Sequence, residues 1–255
     1  MTNRFSVKNK NVLILGGTGK IGLPLSIEFS KLGSNVFVSS RSKNIPDYSS
    51  KLFDSHNIKY FPMDVSDESA LNNCIEKIIN QFGEIDVLIN LVSYRPMKKF
   101  MEDSSENWTK SIVSNSLAAF LPTRLIGKRM VSNQSGSIIN FSSIYGLVSP
   151  PMRLYKDCDF ETEPDYPFIK SGIIGLTKFF SSYYALHGVR VNVIAPGGVF
   201  NNQQEGFLSK YKEYTPMGRM ADPDDILGLA VFLASDASKY ITGTVIPVDG
   251  GWTAV

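Results

Sequence analysis

Two side chains at helical spacing define the first chemistry to look for. Tyr166 and Lys170, in Tyr-Pro-Phe-Ile-Lys, stand four positions apart at the start of an amphipathic pattern, so both leave one helix face a turn apart. A phenol with the ordinary pKa of about 10 is a poor base at neutral pH, and an ammonium beside it favours the phenolate. Such a pair is a tunable acid/base. Tyr94 and Lys98 repeat the spacing, but Pro96 between them argues against a regular helix there. A second constellation lies near the N-terminus, where Gly16, Gly19 and Gly22 follow an apolar run as Gly-x-x-Gly-x-x-Gly and precede a helical pattern. Glycines let the backbone turn tightly and approach a pyrophosphate, whose charge the free amides of a helix N-terminus complement. This context points to a dinucleotide. The second apolar run ends in Ser39-Ser40-Arg41, with no acidic residue to hold a ribose 2′-hydroxyl. A guanidinium there suits a 2′-phosphate, so NADP is expected over NAD, with Lys20 as a second charge. Asp64, after the third run, is placed to accept from an adenine amino group or to serve the amides that open the next helix.

The elements that must position these groups alternate along the whole chain. Apolar runs at 11–15, 35–40, 58–63, 86–90, 137–142, 189–195 and 244–248 are separated by helical patterns near 20–32, 66–82, 107–130, 166–186 and 222–234. Near-continuous apolar strands between amphipathic helices indicate an α/β fold, a doubly wound parallel sheet with helices on both faces, and residues 1–255 read as one domain. Two stretches break the rhythm. Residues 144–165 hold three prolines among dense charges, and residues 197–221 form a lid-like segment with a short helix near 204–211. Long loops after parallel strands are where such folds place ligands.

Composition narrows the class. With 43% hydrophobic and 20% charged residues, the chain has the make-up of an ordinary globular protein. The 26 basic and 24 acidic residues leave a formal charge of only +2, which argues against nucleic acid or a membrane surface as partner. Cys74 and Cys158 give no disulfide framework and a reducing compartment is expected; Cys158 lies between Asp157 and Asp159, which oppose a thiolate. No long apolar run suggests a signal or a membrane span, so the expected location is the cytoplasm. His56 and His187 lack partners at metal-ligand spacing, and no metal is expected. Arg124, Lys128 and Arg129 read as a solvated helix face.

Together these residues resemble the short-chain dehydrogenase/reductase family across essentially the whole chain. The resemblance is carried by the glycine turn, Asp64-Val65-Ser66-Asp67, the Trp108–Asn115 helix, Ser142-Ser143, Tyr166 to Lys170, Arg190 to Gly198 and the ending Val248-Asp249-Gly250-Gly251. It implies a Rossmann-type fold and an oxidoreductase that interconverts a carbonyl and a secondary alcohol. By the same resemblance Tyr166 exchanges the proton, Lys170 holds the nicotinamide ribose, Ser143 orients the carbonyl and Asn115 holds a relay water. Cofactor contacts are implied for Gly16, Gly19, Lys20, Ile21, Gly22, Ser40, Arg41, Asp64, Val65, Asn90, Lys170, Pro196, Gly197, Val199 and Asn201. A homo-oligomer, expected as a tetramer, is implied too.

The chain departs from the family pattern in ways that bear on substrate. Lys20 stands where the middle glycine is usual, Asn90-Leu91-Val92-Ser93 replaces Asn-Asn-Ala-Gly, and Asn201 replaces a threonine. Between Ser143 and Tyr166 lie more residues than the family usually has, so 144–165 reads as an active-site insertion. Ser142 to Gly146, the insertion, Ala195 to Gln203 and Pro216 to Met220 are similar to a bacterial subgroup of surface-sugar synthesis that includes the flagellin post-translational modification protein A type. The expected substrate is a sugar phosphate or nucleotide sugar, met by Arg95, Lys98, Arg153 and Tyr155, with Lys99 and Lys156 as further donors. The alternatives are a 3-oxoacyl thioester reductase, a sugar-nucleotide epimerase or dehydratase, and a cofactor-binding sensor without catalysis.

Overall fold

A computed structural model of the protein describes residues 3–98 and 100–255. Among the described residues, seven parallel strands form one sheet in the order β3-β2-β1-β4-β5-β6-β7. They are β1 (Asn11–Leu15), β2 (Asn35–Ser40), β3 (Lys59–Pro62), β4 (Val87–Asn90), β5 (Gly136–Phe141), β6 (Val189–Pro196) and β7 (Val245–Val248). The helices between them are α1 (Gly22–Lys31), α2 (Asp47–Ser55), α3 (Glu68–Phe82), α4 (Ser105–Ser132), α5 (Asp165–Tyr184), α6 (Glu205–Tyr214) and α7 (Asp224–Ala234).

The apolar strands are covered on both faces, as their composition requires. Alternate residues of β1 enter different cores: Leu13 and Leu15 pack with Leu71 and Ile78 of α3 and Ile126 of α4, while Val12 and Ile14 pack with Leu25 and Phe29 of α1 and Leu233 of α7. A third cluster joins residues 144–165 to residues 197–221, bringing Tyr145 and Leu154 against Phe207 and Tyr211 of α6. Residues 144–165 are therefore a packed layer. Inside it lie two short 3-10 turns, Ile144–Gly146 and Met152–Tyr155.

The expected pattern is present with three corrections. Helix α2 had no visible signal, because it is nine residues long and buries only Ser49 and Phe53. Helix α3 is capped by Asp67, whose side chain accepts from the amides of Ser69 and Ala70, and so begins after the expected Ser66. Arg124 and Arg129 are not merely solvated: they pair with Glu68 and Glu76 of α3.

Candidate active site

The nucleotide cleft forms where the strand order reverses, between β1 and β4. Gly16 has φ +78°, and a Cβ on Gly22 would lie 2.3 Å from the Gly16 carbonyl oxygen, so a side chain at either position would break the turn. Helix α1 starts there with no side-chain cap and no acid in its first turn, leaving its positive end for an anion. Beside it is a cavity of about 250 Å³ whose wall includes Gly16, Gly19, Ser40, Arg41, Asp64 and Val65. The buried Ser39 hydroxyl on the same wall has no partner, which fits a polar ligand. The Arg41 guanidinium lies 4.6 Å above the Tyr94 ring. Burial pushes the Asp64 carboxyl up, but hydrogen bonds from the Ser66 side chain and amide, with the Arg41 charge, outweigh it and hold it below the ordinary carboxylate value. These residues fit a dinucleotide. The Asp64 carboxylate accepts from the Ser66 amide at 2.9 Å, and the next helix is served by Asp67.

A second cavity, of about 360 Å³, opens over β5 and β6 and brings together Ser143, Tyr166 and Lys170 with Ile21, Pro196, Gly197 and Val199. Lys170 is 4% exposed. Its ammonium donates to the Phe141 carbonyl at 3.0 Å and lies 5.6 Å from the Tyr166 ring centre. Burial, and secondly the Arg95 charge, pulls it from 10.5 down to about 8. Ser143 accepts from the Tyr145 amide at 3.2 Å, so its own proton is free to be donated into the cavity. Ser142 is turned away, donating to the Lys170 carbonyl at 2.7 Å, which separates the roles of the two serines. The Arg95 guanidinium sits 4.5 Å over the Tyr166 ring.

Two asparagines expected at ligands make backbone contacts instead. Asn90 donates to the Ala118 carbonyl at 2.8 Å. That carbonyl lacks its usual helical donor because residue 122, inside α4, is proline, so Asn90 mends the helix and does not line either cavity. Asn115 clamps the chain after β4: its carboxamide accepts from the Tyr94 amide at 2.8 Å and donates to the Tyr94 carbonyl at 2.7 Å. It touches neither Tyr166 nor Lys170 through a hydrogen bond among the described residues.

The outer wall of the second cavity is aromatic. Thr162, Tyr155 and Tyr145 form a hydroxyl chain, Thr162 donating at 2.6 Å and Tyr155 at 2.9 Å. Burial pushes the Tyr145 and Tyr155 phenols up. Phe160 meets Phe207 at 5.0 Å between ring centres, and the Tyr211 hydroxyl accepts from the Gly198 amide at 2.6 Å. Of the donors expected from sequence, Arg95 and Tyr155 line this cavity. Lys98 lines a shallower cavity on the outside of the insertion, and exposed Arg153 and Lys156 line neither. Lys99 lies outside the described residues. Lys20 and Asn201 are exposed and line neither main cavity; Gln203, two residues on, takes the place expected of Asn201. Tyr145, Phe207 and Tyr211 were missed, although the four-residue spacing of the last two was a visible helical signal.

A nucleotide cleft at the sheet's switch point, opening onto a serine, a tyrosine and a buried lysine, defines a nicotinamide-dependent oxidoreductase. A family model described as enoyl-(acyl carrier protein) reductase matches residues 18–253. The 3-oxoacyl-[acyl-carrier-protein] reductase FabG of Thermotoga maritima is 30% identical over 251 residues, 96% of this chain and 98% of that one. A short-chain dehydrogenase from Leptospira borgpetersenii with bound NAD+ superposes with a TM-score of 0.88 at 31% identity, over 99% of this chain and 96% of that one. A Beutenbergia cavernae structure described as an NAD(P)-dependent gluconate 5-dehydrogenase, with bound NADP, gives 0.85 at 26% identity, over 99% and 100%. The chain belongs to the short-chain dehydrogenase/reductase family and is an NAD(P)-dependent enzyme of it. No helix among the described residues is long and apolar enough to cross a membrane.

Proposed function

We propose that the protein is an NADP(H)-dependent oxidoreductase that interconverts a carbonyl and a secondary alcohol on a sugar phosphate or nucleotide sugar, in bacterial surface-carbohydrate synthesis. The observation that carries the cofactor choice is Arg41 on the wall of the nucleotide cavity beside Ser40, with no carboxylate at the end of β2. When bound, the nicotinamide supplies the hydride chemistry. Tyr166 exchanges a proton with the substrate oxygen, Ser143 donates a hydrogen bond to it, and Lys170 places a cation beside the phenol and would hold the nicotinamide ribose.

The sugar class is supported by the cavity's make-up. Aromatic faces and a chain of hydroxyls suit a ring bearing hydroxyl groups, and Arg95 at the same wall suits its carboxylate or phosphate. The second reading is a 3-oxoacyl thioester reductase, favoured by the 30% identity to FabG. Against it, the cavity wall carries the Arg95 guanidinium and the Thr162 and Tyr155 hydroxyls, which an acyl chain would leave unused. Phe179 and Tyr183, 64% and 68% exposed on α5, support a homo-oligomer, which we infer to be a cytoplasmic tetramer. Following reduced-nicotinamide absorbance across sugar phosphates, nucleotide sugars, keto acids and acyl thioesters tests the reading. A preference for acyl thioesters would sink the sugar assignment, and conversion without net cofactor change would point to an epimerase or dehydratase.

A further inference from the structure

Behind Tyr166 lies a buried polar pair that the reaction as written does not use. Asp165 opens α5 and is 2% exposed; Ser111, one turn before Asn115 in α4, is fully buried. The Ser111 hydroxyl donates to one carboxylate oxygen of Asp165, and the other oxygen is buried without a partner among the described residues. Asn115 reaches the same hydroxyl at 3.3 Å and the Ser111 carbonyl at 2.8 Å with its Nδ2, which also holds the Tyr94 carbonyl. Arg95 follows Tyr94 and lies over the Tyr166 ring. The contacts thus run from the residue before Tyr166, across two helices and the chain after β4, back to the face of Tyr166.

Such a pair is a poor way to stabilise a fold. An unpartnered buried carboxylate oxygen is unfavourable, and replacing both members of a buried polar pair with apolar groups is often neutral or stabilising. What the pair does provide is direction. A hydroxyl whose proton is drawn to Asp165 presents its lone pairs to Asn115, which fixes which end of the carboxamide faces Ser111 and leaves Oδ1 for the Tyr94 amide.

We propose that Asp165 and Ser111 are positioning residues that hold the Asn115 carboxamide on the Tyr94 backbone and so keep Arg95 against the Tyr166 ring. The inference rests on the catalytic role given to Tyr166 above, but its first measurement does not. Amide exchange is followed by mass spectrometry in the full-length protein with NADPH, comparing a peptide spanning residues 91–95 with β4 residues 87–90 as control. Ser111→Ala and Asp165→Ala are expected to speed exchange in 91–95 about tenfold and leave the control unchanged, as for loss of one charge-assisted hydrogen bond. Asp165→Asn, which retains an accepting oxygen, stays within about threefold of wild type. In an Asn115→Ala background, Ser111→Ala adds nothing further. In turnover, with NADPH and the best carbonyl compound of the screen, Ser111→Ala and Asp165→Ala lower kcat about tenfold with the KM for NADPH unchanged. Unchanged exchange in 91–95, a full extra loss in the Asn115→Ala background, or an unchanged kcat overturns the proposal. An active Tyr166→Phe variant instead overturns the catalytic reading and leaves the exchange result standing.

Discussion

Burying Lys170 carries a cost that pH can isolate. The ammonium is pulled from its ordinary 10.5 to about 8, chiefly by burial, so a charged Lys170 is held in the fold at roughly 3 kcal/mol, at ~1.4 kcal/mol per pH unit. Below pH 8 the lysine is protonated both folded and unfolded, and the whole cost is present. Between 8 and 10.5 the unfolded chain binds a proton that the folded chain does not, so stability rises with pH. Above 10.5 the cost is gone.

Lys170→Met removes the titration. At pH 7 its net effect on stability mixes relief of about 3 kcal/mol with the loss of a donor to the Phe141 carbonyl, worth roughly 1 to 3 kcal/mol. The difference between two pH values is free of that second quantity. From pH 7 to 9.5 the wild type should gain about 2 kcal/mol that the variant does not. The Tyr155, Tyr184 and Tyr211 phenols, all raised by burial, titrate above this window and are common to both proteins. Denaturant unfolding of cofactor-free protein at pH 7 and 9.5, at one fixed protein concentration, measures it. A wild-type-to-variant difference that is the same at both pH values would refute the burial argument.

Four further outcomes are expected. Tyr166→Phe abolishes turnover, a loss of roughly 10² to 10⁴ in rate, while NADPH binding followed by fluorescence stays within about twofold. Arg41→Ala weakens NADPH by about 1.5 to 3 kcal/mol and NADH hardly at all by the same titration; equal losses would move Arg41 out of the 2′-phosphate site. Cutting the 144–165 insertion to the usual family length lowers kcat/KM for the best substrate, and an unchanged value would remove the insertion from the pocket. Light scattering should show an oligomer that Phe179→Glu with Tyr183→Glu dissociates; an unchanged mass in that variant would place the interface elsewhere.

The groups that were legible in sequence are those whose chemistry is fixed by neighbours a few positions away. The glycine turn is one, because Gly16 and Gly22 meet each other's backbone within a single turn. Tyr166 and Lys170 are another, because four residues of helix suffice to put them on one wall. Ser40, Arg41, Asp64 and Val65 came together because parallel strands all end on the same edge, whatever their order. The residues that were misplaced are those whose partner is chosen by packing. Asn90 goes to Ala118 because Pro122 cannot, a contact between β4 and α4 that neither local pattern contains. Asn201 yields to Gln203 because the Gln203 side chain bonds back to the Asn201 amide and the Val199 carbonyl and takes the inner position of the turn. The aromatic contact was hidden for the same reason: Phe160 lies in a charged irregular stretch and Phe207 on a short helix of a separate excursion, and neither local pattern contains their mutual packing. On the proposed reading, substrate choice lies where residues 144–165 meet α6, in contacts between segments 47 residues apart at Phe160 and Phe207, and changing either side alone should alter which compound is turned over more than whether the chemistry occurs.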